Sequence, residues 1–83
     1  MPSEIRYKSS VARDLKQIAP SDKQRILDKI RETLSTDPRA GEPLRGEFEG
    51  MYKMRVGDYR VVYALVGSDV LVLRIRHRSS AYG

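Results

Sequence analysis

Met51-Tyr52-Lys53-Met54-Arg55-Val56-Gly57-Asp58-Tyr59-Arg60-Val61-Val62-Tyr63 is the stretch that decides the fold of this chain. On either side of Gly57-Asp58, apolar and polar residues alternate with a period of two. That is the pattern of strands with one buried face. Gly57-Asp58 has the residue types of a two-residue hairpin turn. The stretch therefore reads as two antiparallel strands, Met51–Val56 and Tyr59–Val66. A second glycine turn, Gly67-Ser68, leads into a third strand over residues 69–78.

Upstream of this meander the periodicity changes. Ile5 and Tyr7 alternate with charged neighbours, so residues 3–7 read as a short strand. Ser9 or Ser10 then caps a helix whose apolar stripe is Val11, Leu15 and Ile18, ended by Ala19-Pro20. Ser21 or Asp22 opens a second helix with the stripe Ile26, Leu27, Ile30 and Leu34. Thr36-Asp37-Pro38 stops it. Residues 37–50 form a loop, with Leu44 and Phe48 as its expected anchors. The fold class is α+β in the order β-α-α-β-β-β, a helical hairpin packed on one face of a small, largely antiparallel sheet. Residues 1–83 form a single domain, since neither side of the loop is long enough to fold alone.

Charge is distributed unevenly. Residues 1–50 carry ten Lys and Arg against nine Asp and Glu, whereas residues 51–83 carry six against two. Strand alternation sets Lys53 and Arg55 on one face. In the last strand it sets Val72, Arg74, Arg76 and Arg78 opposite Leu71, Leu73, Ile75 and His77. The apolar side is expected to meet the helices, which leaves the arginine side open. A sheet face this rich in cations suits a polyanion, RNA or DNA first of all. Cations on a strand usually do no more than solvate it. Here their joint spacing is what points to a site.

The chain has no cysteine and one histidine, which removes disulfides, thiolate chemistry and cysteine-based zinc sites. No metal and no cofactor is expected. No apolar run reaches the length of a membrane span, so the expectation is a soluble cytoplasmic protein without a membrane partner.

RNA cleavage by the ribose 2′-hydroxyl needs a base, a donor to the leaving 5′-oxygen and groups that hold the phosphorane charge. His77 falls on the apolar face, where a histidine is more often a buried structural residue than a catalyst. If the chain cuts RNA, basic residues must then do most of the chemistry. Cationic neighbours disfavour the charged form of Lys53, which makes it a candidate base. Arginines stay protonated and suit the bidentate grip of a phosphate. Tyr82 suits stacking on a base.

The run from Gly50 to Tyr63, the ending His77-Arg78-Ser79-Ser80-Ala81-Tyr82, Pro43-Leu44-Arg45-Gly46 and the order of elements together resemble the RelE group of the RelE/ParE toxin superfamily. The resemblance covers nearly the whole chain. It implies a toxin that cleaves mRNA in the ribosomal A site without a metal and is neutralised by a cognate antitoxin. Carried over by position, Lys53 takes the place of the general base. Arg55 replaces a second basic residue, usually lysine, that supports the transition state, and Arg60 takes the place of the phosphate-binding arginine. Tyr82 corresponds to the tyrosine that orients the substrate base. The leaving-group arginine is Arg78 or Arg76, with Arg78 favoured by its spacing to Tyr82. Arg45, Arg74 and Arg76 are expected to add substrate contacts. Two other readings share the fold or the charge: a ParE-type gyrase inhibitor without nuclease activity, and an RNA-binding module that does not cut.

Overall fold

The computed structural model describes residues 4–79. Tyr82, and Ser3 at the start of the expected first strand, lie outside them. The elements are β1 (Ile5–Tyr7), α1 (Ser9–Leu15), α2 (Pro20–Thr36), β2 (Glu42–Pro43), a 3₁₀ turn (Gly46–Phe48), β3 (Met51–Val56), β4 (Tyr59–Val66) and β5 (Asp69–His77). The five strands form one mixed sheet in the order β1-β5-β4-β3-β2. β1 runs parallel to β5, and the other pairs are antiparallel. Both hairpin turns place a positive φ on the first central residue, Gly57 and Gly67, and not on the second. This is the II′ pattern, whose twist matches that of the flanking strands.

The helices cover one sheet face. Ile26, Ile30 and Leu34 recur every four residues along α2 and are buried, as the 3.6-residue repeat requires. They meet Val56, Val61, Tyr63, Val70, Val72 and Ile75 from the sheet, with Val11 and Ile18 completing the core. Each fully buried aliphatic side chain of this kind contributes about 1.5–3 kcal/mol over its exposed state. Pro20 takes the first helical position of α2, where its missing N–H costs nothing. The helix therefore begins at the proline and not at Ser21 or Asp22.

The structure departs from the sequence reading elsewhere too. α1 ends at Leu15, three residues before Ile18, although Ile18 still reaches the core. Neither Ser9 nor Ser10 caps it, because the Ser10 hydroxyl donates to the Leu73 carbonyl at 2.8 Å. Phe48 is half exposed and anchors nothing, while Leu44 is fixed by donating its N–H to the Met51 carbonyl. Part of the expected loop is strand β2, which pairs Glu42 with Lys53 and Pro43 with Tyr52.

The departure with the widest effect concerns the faces of β5. Val62 pairs with Arg74 but Tyr63 pairs with Val72, so Leu73 is an extra residue on β5. This bulge shifts the alternation by one residue. Val70 and Val72 face the helices before it, and Ile75 does so after it. The expectation that Leu71 and Leu73 line the core fails for this reason. The expectation that Arg74 and Arg76 lie opposite Ile75 holds.

Candidate functional site: a cationic sheet face

Residues opposite one another in an antiparallel pair project from the same face. The register sets Arg55 opposite Arg60, and Arg60 opposite Arg76. In the next row Lys53 stands opposite Val62, and Val62 opposite Arg74, while Glu42 flanks Lys53 from β2. The other face carries the core. Five of the expected cations thus share the face the helices leave uncovered. Like charges directly across a sheet are destabilising. The register nonetheless lines up three arginines across neighbouring strands and concentrates positive charge on this face.

Two adjoining hollows follow from this arrangement. A hollow of about 520 Å³ is lined by Arg55, Gly57, Asp58, Tyr59, Arg60, Arg78 and Ser79. The Arg78 N–H donates to the Asp58 carbonyl at 2.8 Å, which ties the end of β5 to the β3–β4 turn and carries Arg78 to this place. A smaller recess of about 80 Å³ is lined by Glu42, Lys53, Met54, Arg55 and Arg60. Arg55 and Arg60 belong to both. Together the hollows have room for a phosphate with part of a nucleotide, and their walls carry guanidinium groups suited to charge-assisted bonds.

Lys53 is not surrounded by cations alone. Its Nζ lies 3.6 Å from the Glu42 carboxylate, with the lysine side chain 33% exposed and the glutamate 72% exposed. A pair this open to water is worth on the order of 0.2–1 kcal/mol, so little holds the carboxylate against Lys53. Glu42 escapes a sequence reading because residues 37–50 carry loop composition. Only the backbone pairing with β3 shows that it reaches the site.

Arg74 is held elsewhere. Its Nε and Nη2 donate to the two Asp14 carboxylate oxygens at 3.0 and 3.1 Å, and the Ile75 N–H donates to the same carboxylate at 3.0 Å. Burial of Asp14 acts to raise its pKa. The Arg74 hydrogen bonds, the Ile75 N–H and the charges of Arg74 and Arg76 outweigh that and hold it below the usual carboxylate range. The hydrogen bonds to Asp14 likewise raise the pKa of Arg74, so the pair stays ionised. Arg76 lies in register with Arg60 and lines a groove of about 450 Å³ with Asp14, Gln17, Ile18, Tyr59, Arg74, Ile75 and His77. Arg45 is exposed ahead of the 3₁₀ turn and belongs to neither of the two hollows.

His77 falls on the core side of the sheet, at its rim. Its ring meets Tyr59 edge-on at 5.3 Å, and its Nδ1 accepts the Ser79 N–H at 3.1 Å with the Ser79 hydroxyl 2.7 Å away. These contacts give the ring a structural setting. On the same side, Tyr52 stacks on Tyr63 at 5.4 Å, and the buried Tyr63 hydroxyl accepts the Gly41 N–H at 2.9 Å. Burial first, offset in part by that hydrogen bond, pushes the Tyr63 phenol above its ordinary pKa.

Comparison with known proteins agrees with this geometry. The family described as ParE toxin of type II toxin-antitoxin system, parDE, matches residues 5–82. Toxin RelG of Mycobacterium tuberculosis is 33% identical to the chain, with 99% of this chain and 98% of that protein covered. In the crystal structure of the M. tuberculosis RelBE2 toxin-antitoxin complex, one chain superposes with a TM-score of 0.85 at 31% identity, covering 96% of this chain and 95% of its own. A mutant of the Escherichia coli toxin RelE, solved in the free state, shares the fold at a TM-score of 0.79 and 19% identity, over 98% of this chain and 88% of its own. With its element order, cationic face and match along nearly its whole length, the chain belongs to the RelE/ParE superfamily of type II toxins and is a RelE-type toxin of a toxin-antitoxin system.

Proposed function

We propose that this toxin is a ribosome-dependent endoribonuclease that cleaves mRNA in the A site by attack of a ribose 2′-hydroxyl on the adjacent phosphate, without a metal ion. The observation that carries the reading is the convergence of Arg55, Arg60 and Arg78 on one hollow beside Lys53. Lys53 takes the 2′-hydroxyl proton. Arg60 grips the scissile phosphate, and Arg55 holds the charge that grows on it in the transition state. The P–O5′ bond breaks to leave a 2′,3′-cyclic phosphate; Arg78 hydrogen-bonds the leaving 5′-oxygen, which takes its proton from solvent water. The shared hollow favours Arg78 over Arg76 for that role, since Arg76 lines the Asp14 groove. Tyr82 stacks on the substrate base. Arg45, Arg74 and Arg76 contribute to the hold on RNA, with Arg74 limited by its bond to Asp14. The similarity to toxins named RelG and RelE supports the nuclease over the gyrase reading.

The cell that makes such a toxin needs a cognate antitoxin, and several similar chains were solved as RelB–RelE complexes. The enzyme works in the cytoplasm, where its ribosomal substrate is found. Among the described residues no helix is long and apolar enough to cross a membrane.

Mapping cleavage positions on ribosome-bound mRNA tests the reading. Wild-type protein should cut within translated codons, and Lys53→Ala should lower the rate by at least about a hundredfold while ribosome binding persists. Intact mRNA with double-strand DNA breaks would establish the gyrase reading instead. Binding to RNA with neither effect would leave a passive module.

A further inference from the structure

β1 is too short to accompany β5 along its length. Its pairing ends with Tyr7 opposite Val72, after which β5 continues as an edge. Side chains of α1 take over there. The Ser10 hydroxyl donates to the Leu73 carbonyl, and the Asp14 carboxylate accepts the Ile75 N–H, so both of these backbone groups at the bulge are satisfied. Ser10 and Asp14 are four residues apart and share one face of the helix.

The position of Asp14 is unfavourable for α1 itself. It is the penultimate residue of the helix, where the macrodipole disfavours negative charge. The bulge explains the placement. Val70 and Val72 face the core, so uninterrupted alternation would send Arg74 and Arg76 into the core as well. The extra residue at Leu73 is what brings both arginines to the open face, with Ile75 inside.

We propose that Ser10 and Asp14 form a clamp that stands in for a missing strand partner and holds this bulge, and that Asp14 is thereby a positioning residue for the arginines of the cationic face. A neutral acceptor would suffice for the Ile75 N–H alone. The carboxylate adds a bidentate hold on Arg74, which orients that side chain and limits its reach to substrate phosphate. The effect on cleavage rests on the nuclease reading; the clamp itself does not.

Asp14→Asn tests the clamp with little change of shape, and Asp14→Ala removes it. Three quantities are measured on folded protein: amide exchange at Ile75, salt dependence of binding to a short single-stranded RNA, and the cleavage rate at saturating ribosome-bound mRNA. In Asp14→Asn, release of Arg74 should steepen the slope of log affinity against log salt by about 0.7, one additional phosphate contact. The saturated cleavage rate should fall about tenfold or more even as affinity holds or rises. In Asp14→Ala, Ile75 exchange should accelerate by at least about tenfold relative to core amides. Unchanged slope and exchange, with cleavage falling only in step with the folded fraction, would overturn the proposal. A wild-type protein that cuts nothing, while the slope and exchange shift as stated, would sink the nuclease reading and keep the clamp.

Discussion

Gly41→Ala should couple a loss of stability directly to the site. A Cβ at position 41 would stand 2.7 Å from the Lys53 carbonyl oxygen, 2.7 Å from the Tyr63 hydroxyl oxygen and 3.0 Å from Tyr63 Cε1. Two of these contacts are too short to survive. The first involves backbone of β3, and the second a tyrosine ring that is fully buried and stacked on Tyr52. Neither neighbour can swing aside, so the 41–43 segment must lift away from β3. Overpacking of this kind costs about 1–3 kcal/mol. Separation of the Gly41 N–H from the Tyr63 hydroxyl adds about 1 kcal/mol. The total of about 2–4 kcal/mol corresponds to a Tm lowered by about 8–32 °C for a domain of this size.

Tyr63→Phe is the control. It removes the acceptor of the Gly41 N–H without adding volume, and should cost only about 1 kcal/mol. Urea unfolding followed by far-ultraviolet circular dichroism measures both variants. Because the added Cβ presses on the carbonyl of Lys53 itself, Gly41→Ala should also lower cleavage at temperatures where it remains folded. Stability within about 0.5 kcal/mol of wild type would refute the reasoning. It would mean that β2 is not held against β3 and that Glu42 has no fixed place beside Lys53.

Asp14 should leave a signature in acid. Its depressed pKa means that its carboxylate stabilises the fold above the unfolded value and loses that contribution as pH falls through the lower folded one. Between about pH 5 and about pH 2, stability should therefore decline less steeply in Asp14→Asn than in wild type; parallel curves by circular dichroism would contradict the assignment. Glu42→Gln removes the carboxylate that occupies Lys53 and should tighten RNA binding about twofold to fivefold with cleavage retained. Complete loss of cutting in a folded Glu42→Gln protein would move the role of base from Lys53 to Glu42.

The sheet was legible because short-range rules act on it without competition. Gly57-Asp58 and Gly67-Ser68 are hairpin turns by residue type alone, and the strands they join fall where alternation sets them. The α2 stripe was legible for the same reason, since Ile26, Ile30 and Leu34 satisfy one helical period. The misreadings share a different cause. Ser10 had every mark of a helix cap, yet a carbonyl 63 residues away takes its hydroxyl. Glu42 lay in a segment of loop composition and gains its place only through pairing with β3. Phe48 had the hydrophobicity of an anchor, but it stays half exposed in the folded chain.

By itself the sequence determined the order of elements apart from β2, both turns, the helical core stripe and the concentration of cations toward the C-terminal end, because each depends on neighbours a few residues apart. How β5 keeps Val70 and Val72 inside and still brings Arg74 and Arg76 to the open face was decided by tertiary structure. Strand parity passes every side chain to alternate sides, and one extra residue at Leu73 reverses the assignment for all that follow. No local pattern marks that bulge. It persists where α1 offers Ser10 and Asp14 to the two backbone groups that β1 is too short to reach, a contact that exists only once the chain has folded.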